Sequence, residues 1–144
     1  PAADNQDKWS YAKPLLTASA AIAPQCAQID GASAAYRDLL TIRTTEKEFS
    51  LSTAGQVQSA LSFPLSGPAE TPGVITMRLG RLAVVLNAGP GTATQRLTAP
   101  AGKTYALHPV QAEGADLTVK RARYDAKSAS FTVPGRTVAV FVLR

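Results

Sequence analysis

A mainly β protein, an antiparallel β-sandwich preceded by an α-helical segment, is the fold class this sequence predicts, and three observations predict it. Up to Phe49, apolar residues recur at helical spacing; after it the period changes to two. From there to Leu143, short apolar runs alternate with polar turns that carry Gly or Pro, the punctuation of a sandwich. The composition agrees: 45% apolar residues against 17% charged excludes a disordered chain.

Taken in order, Asp4, Asn5 and Asp7 are placed to cap a short helical turn running through Trp9 and Tyr11 towards Lys13. Pro14 and Pro24 bracket a loop or a second short helix. Ile29, Ala32, Tyr36, Leu39 and Leu40 then predict an amphipathic helix over about 26–44, with Asp30, Arg37, Asp38 and Arg43 mostly on its other faces. Its apolar stripe must bury against the β-domain or a neighbour. Strands are predicted at 57–63, 74–79, 81–86, 92–98, 105–108, 130–133 and 137–143. The runs at 81–86 and 138–143 are almost wholly apolar, as expected of strands covered on both faces. Gly80-Arg81 fits a two-residue hairpin loop with Gly first, a type II′ pattern. Phe63, Phe131 and Phe141 fall in strands that read as core, and Val84, Leu86, Val138 and Val140 join Phe141 in the core or on a face turned to a neighbour.

Several function classes are disfavoured. A chain of 144 residues is one domain by length and buries roughly 68–70% of its unfolded surface. The net charge of +5 comes from residues spread along the chain, with one modest cluster at Lys120, Arg121, Arg123 and Lys127. Such a cluster reads as a solvated face rather than a nucleic-acid surface; Tyr105 and Tyr124 offer only a weak stacking platform. No apolar run reaches 18 residues, so no membrane span is expected. The single Cys26 forms no internal disulfide, and with the one histidine, His108, it gives no zinc spacing. Neither a metal nor a cofactor is expected. The chain opens at Pro1, without an initiator Met or a leader, as if continuing something longer.

No catalytic constellation emerges. Glycoside hydrolysis needs two carboxylates across the scissile bond, and none of the ten acidic residues lies in a recognisable motif. His108 reads as a structural cap at a strand end, and Cys26 as a partly buried, inert thiol. Asn87-Ala88-Gly89-Pro90-Gly91 follows a strand with no helix or Lys-Ser/Thr after it, so it reads as a turn rather than a phosphate cradle. Trp9, the only tryptophan, reads as an anchor of its loop on the core. The alternative is a sugar-stacking ring beside Asp4 and Asn5.

A resemblance runs through these segments. The stretch from Pro1 to Trp9 with Pro14-Leu15-Leu16 resembles the loop after the last barrel strand of pullulanase and limit-dextrinase type starch-debranching glycoside hydrolases. Tyr36-Arg37-Asp38-Leu39-Leu40-Thr41-Ile42-Arg43 is similar to the last helix of that barrel, and Phe49-Ser50-Leu51-Ser52-Thr53-Ala54 to the link leading out of it. Gly67-Pro68 and Thr71-Pro72-Gly73-Val74-Ile75-Thr76-Met77 resemble the family's first β-hairpin region; 107–111, Tyr124-Asp125 and 131–142 resemble its closing strands. The resemblance is collinear over nearly the whole chain. One departure is that the family commonly carries an insertion between Leu79 and Arg81, where a single Gly stands here. That implies either a shortened hairpin or a loop left out of the sequence.

The resemblance implies residues 1–50 as the tail of a catalytic (β/α)8 barrel, with the last barrel helix, and 51–144 as a C-terminal antiparallel sandwich. The implied role is non-catalytic: support of the barrel of an enzyme that hydrolyses α-1,6 branch linkages in pullulan, starch or glycogen dextrins. The implied partners are that barrel and, through it, an α-glucan substrate. The family's catalytic carboxylates lie upstream of Pro1, so no catalytic residue carries over. Asp4 and Asn5 match a loop near the substrate cleft and are the only implied sugar contacts. Two further readings stand beside this one: an independent carbohydrate-binding module, and a basic barrel for single-stranded nucleic acid.

Overall fold

The computed structural model describes residues 6–10, 13–14, 23–68 and 70–144. After a 3-10 turn at Gln6–Lys8, helix α1 spans Cys26–Thr45 and a second 3-10 turn follows at Lys47–Ser50. Helix α2 (Ala54–Ala60) leads into β1 (Leu61–Ser62), β2 (Val74–Leu79), β3 (Leu82–Asn87), β4 (Ala93–Arg96) and β5 (Tyr105–Leu107). Helix α3 (Pro109–Glu113), a 3-10 turn at Val119–Arg121, β6 (Arg123–Asp125), β7 (Ser130–Val133) and β8 (Thr137–Leu143) complete the chain.

The strands form two antiparallel sheets, a five-stranded one in the order β1-β2-β3-β8-β5 and a three-stranded one in the order β4-β7-β6. Register follows from alternation. Ala83 pairs with Phe141 and Val85 with Ala139 on one face of the large sheet; Val84 pairs with Val140 and Leu86 with Val138 on the other. The first face meets Phe131 and Val133 of β7 and forms the main core. Phe131 is central there, its ring 5.1, 4.8 and 4.6 Å, centroid to centroid, from Tyr105, Tyr124 and Phe141. The second face carries Val84 and Val140, covered by Ile42 and Leu39 of α1 and by Phe49. Leu82 to Val85 are therefore buried on both sides, as their continuous apolar run predicts.

Helix α1 begins and ends close to the predicted bounds. The Gln25 N–H donates to Gln28 Oε1 at its start (2.8 Å), and Arg43 lies in its last turn, where a cation suits the helix dipole. Between Leu79 and Leu82 the hairpin closes directly on Gly80 and Arg81. Gly80 has φ +56° while Arg81 keeps a negative φ, the sign pattern of the type II′ turn that its Gly-first pair predicts.

Five expectations are corrected. Residues 107–111 are not all strand: β5 ends at Leu107, and Pro109 at the first helical position, with His108 as N-cap, starts α3. Residues 57–63 are not a strand: α2 occupies 54–60 and only Leu61–Ser62 pair, with β2. A capping box decides this, with Gln56 N–H donating to Thr53 Oγ1 (3.2 Å) and Thr53 N–H to Gln56 Oε1 (3.2 Å). Phe63 consequently lies beyond the short strand and is 47% exposed, not core. Cys26 is exposed, as are all the residues of the first two turns of α1. Trp9 is also exposed and joins neither core cluster; the Lys13 ammonium lies 5.0 Å from its ring centroid instead.

Candidate functional site

Helix α1 has two apolar sides. At about 100° per residue, Ile29, Tyr36 and Leu40 lie within roughly 20° of one line. Leu39 lies roughly 80° and Ile42 roughly 140° around from it. Ile42 is 1% exposed against Val84 and Val140, and Leu39 packs beside it. Ile29, Tyr36 and Leu40 remain 54%, 64% and 44% exposed. The predicted stripe is thus split: Leu39 docks on the sandwich with Ile42, a residue outside the stripe, while Ile29, Tyr36 and Leu40 face away and Ala32 is exposed with them.

The end of α1 is fastened at a polar junction. Glu46 follows the helix, and its Oε1 meets His108 Nε2 at 2.9 Å. His108 Nδ1 accepts the Val110 N–H (3.3 Å) as the N-cap of α3, so the ring proton sits on Nε2 and is donated to Glu46. Arg81, in the β2–β3 turn, pairs with Glu46 and, through Nε, with Glu48 Oε1 at 3.0 Å. His108 is 5% exposed. It is the structural cap its strand-end position predicts, with a second bond to a residue 62 positions upstream.

Next to this junction, the edge of β8 is completed by a side chain. β5 pairs with β8 only as far as Leu107–Phe141. Beyond it the His108 N–H donates to Val140 O (2.8 Å). The Gln111 amide then donates to Val138 O and accepts the Val140 N–H, both at 2.8 Å. Asn87 does comparable work at the C-terminal end of β3: its Nδ2 reaches the carbonyls of Gly91, Val133 and Pro134, and its Oδ1 accepts from Gly89 N–H. The Asn87–Gly91 segment is a turn, as expected. Neither amide was singled out by sequence reasoning, because one buried Gln or Asn leaves no periodic signal.

The described residues hold no catalytic arrangement. Glu46 and Glu48 come together, but on one guanidinium. No group of three His, Cys, Asp or Glu among the described residues is placed to hold a metal ion. Asp125 is held below the usual carboxylate range by the Ser128 hydroxyl and the Lys127 N–H, in its own turn. Burial pushes the Tyr105 hydroxyl up. Tyr124 donates to Leu97 O and accepts from Ala99 N–H, so it and the buried Tyr105 belong to the core rather than to a nucleic-acid platform. Asp4 and Asn5, the expected sugar contacts, lie outside the described residues.

Residues 1–144 match the family described as alpha-1,6-glucosidases, pullulanase-type, C-terminal. The chain is 32% identical over 159 aligned positions to the chloroplastic pullulanase 1 of Arabidopsis thaliana, covering 99% of this chain and 16% of that protein. Among solved structures it is similar to the Klebsiella pneumoniae pullulanase complexed with maltotriose. There the TM-score is 0.76 at 22% identity, over 95% of this chain and 14% of that one. It is also similar to PulA of Klebsiella oxytoca, with a TM-score of 0.68 at 23% identity over 84% of this chain and 13% of that one. At these identities the structural matches speak for the fold. In each case the chain spans about a sixth or less of the relative's length.

Proposed function

Because this chain belongs to the C-terminal family of pullulanase-type α-1,6-glucosidases, we propose that it supports the catalytic barrel of a debranching enzyme and takes no part in bond cleavage. The enzyme it completes hydrolyses α-1,6 linkages in pullulan, starch or glycogen dextrins. In this reading residues 1–50 are the end of the barrel, with α1 as its last helix, and 51–144 are the sandwich that follows.

The observation that supports the reading is the second apolar side of α1. Ile29, Tyr36 and Leu40 form one stripe facing away from the sandwich that holds Ile42. Full burial of such side chains is worth about 1.5–3 kcal/mol each, so a helix with two apolar sides is suited to lie between two bodies. The barrel is the second body. The Glu46–His108–Arg81 junction keeps the helix end in register with the sandwich, so the two units move together. Asp4 and Asn5 are proposed as sugar contacts on the resemblance alone.

The test is made in the enzyme that carries this chain. Tyr36→Asp combined with Leu40→Asp should lower Tm and split a single melting transition into two, as the sandwich uncouples from the barrel. An unchanged melting profile refutes the docking. In the same enzyme, Asp4→Ala and Asn5→Ala should raise KM for pullulan; unchanged kinetics remove those two residues from the cleft. The 144-residue chain alone should release no reducing sugar from pullulan. Release that is abolished by a single Asp or Glu substitution within it overturns the non-catalytic role.

A further inference from the structure

On the flank where the small sheet ends at β4, the segment after β1 encloses one hollow with strand β4 and a second with the start of β2, and the two meet at Leu65 and Ser66. The larger, of about 310 Å³, includes Thr71, Thr94, Gln95 and Arg96 in its lining; the smaller includes Phe63, Glu70 and Ile75. Binding hollows of this size normally mix apolar walls with a few fixed polar groups.

The polar groups here are arranged rather than scattered. Gln95 is 3% exposed. Its amide donates to Thr71 Oγ1 (2.9 Å) and to Thr94 O (3.0 Å), and accepts from Thr76 Oγ1 (3.3 Å). Thr71, already an acceptor for Gln95, has its own hydroxyl hydrogen left to donate. Glu70 Oε2 accepts the Gly67 N–H (3.2 Å), which leaves Oε1 as an acceptor. Arg96 is exposed and makes no ion pair among the described residues. Beside them stand the half-exposed ring of Phe63 and the side chain of Ile75.

We propose that this flank binds a neutral α-glucan chain. An ionic ligand of either sign meets one favourable and one unfavourable charge at Arg96 and Glu70. Sugar hydroxyls both donate and accept, so different hydroxyls of one chain donate to Glu70 and accept from Arg96 and the Thr71 hydroxyl. The apolar C–H face of a sugar ring stacks on Phe63. The choice of an α-linked glucose polymer rests on the reading of this chain as part of a debranching enzyme.

The test uses the whole enzyme that carries this chain, with Phe63→Leu and Arg96→Ala. Leucine keeps the apolar bulk, so a merely packing Phe63 tolerates it whereas a stacking ring does not. Each variant should weaken retention on insoluble starch about tenfold, equivalent to ~1.4 kcal/mol. The Tm, and kcat/KM on a short branched oligosaccharide, should stay unchanged. Retention equal to wild type in both variants overturns the proposal. So does equal wild-type retention on cellulose, or a fall in Tm for Phe63→Leu, which makes Phe63 a packing residue. A wild-type enzyme that cleaves no branch linkage refutes the debranching reading separately; starch retention lost in the two variants still supports the site.

Discussion

Phe141→Ala removes the ring on which the two sheets close. Phe141 is fully buried, its ring centroid 4.6 Å from that of Phe131, and its backbone pairs with Ala83 on one side and Leu107 on the other. Truncating a buried Phe costs about 3–5 kcal/mol through lost transfer energy and the cavity left behind. Loss of the tilted aromatic pair, about 0.5–1.5 kcal/mol, is part of that cost. Because β8 sits between β3 and β5, the strands have little freedom to close the gap, and the upper half of the range is expected. Against a net stability of about 5–15 kcal/mol for a domain, that is a large share. Urea unfolding of wild type and variant, followed by circular dichroism, should show a lower midpoint at constant m-value. A loss under about 1 kcal/mol, or a changed m-value, refutes the reasoning. Phe63 gives the internal contrast: being half exposed, its truncation should cost only about half the full transfer value, roughly 0.8–1.5 kcal/mol.

A Cβ at Gly135 would fall 2.2 Å from Pro90 O and 2.5 Å from Pro90 C, both backbone atoms. Gly135→Ala must therefore push the two turns apart, and should cost about 1–3 kcal/mol in urea unfolding; a neutral substitution means the turns are not in that contact. Tyr105 titrates above its ordinary value because it is buried. The native state then holds a proton that the unfolded chain releases above about pH 10. Stability is accordingly retained below that pH and lost as pH rises towards the raised native value. Tyr105→Phe should flatten this alkaline loss in melts between pH 9 and 11; an unaltered slope removes Tyr105 as its source.

Legibility in the sequence tracked periodicity. β2, β3, β7 and β8 alternate or run apolar between turn residues, and α1 repeats at helical spacing over about three turns; all lie close to where those patterns put them. α2 was hidden because Val57, Leu61 and Phe63 mimic alternation, while the signal that wins, Thr53 and Gln56, is a single pair of caps. α3 and β6 are five and three residues long, too short for any period, and β6 lies within the basic cluster. In the candidate interface, Tyr36 and Leu40 were visible as a stripe, but Ile42, the residue that docks the helix, lies outside it. The junction escaped notice because Glu46, Arg81 and His108 meet only through the fold.

The Gln111 amide has a consequence for how the molecule behaves among its copies. A strand edge with free N–H and C=O groups is a template for another chain, and β5, three residues long, covers only part of β8. A side chain cannot propagate a ladder as a backbone can. By occupying Val138 O and Val140 N–H with a glutamine instead of more strand, the chain ends the sheet with a plug. The most apolar strand of the molecule is thereby closed to strand exchange, at the place where a longer β5 would itself have offered a fresh edge.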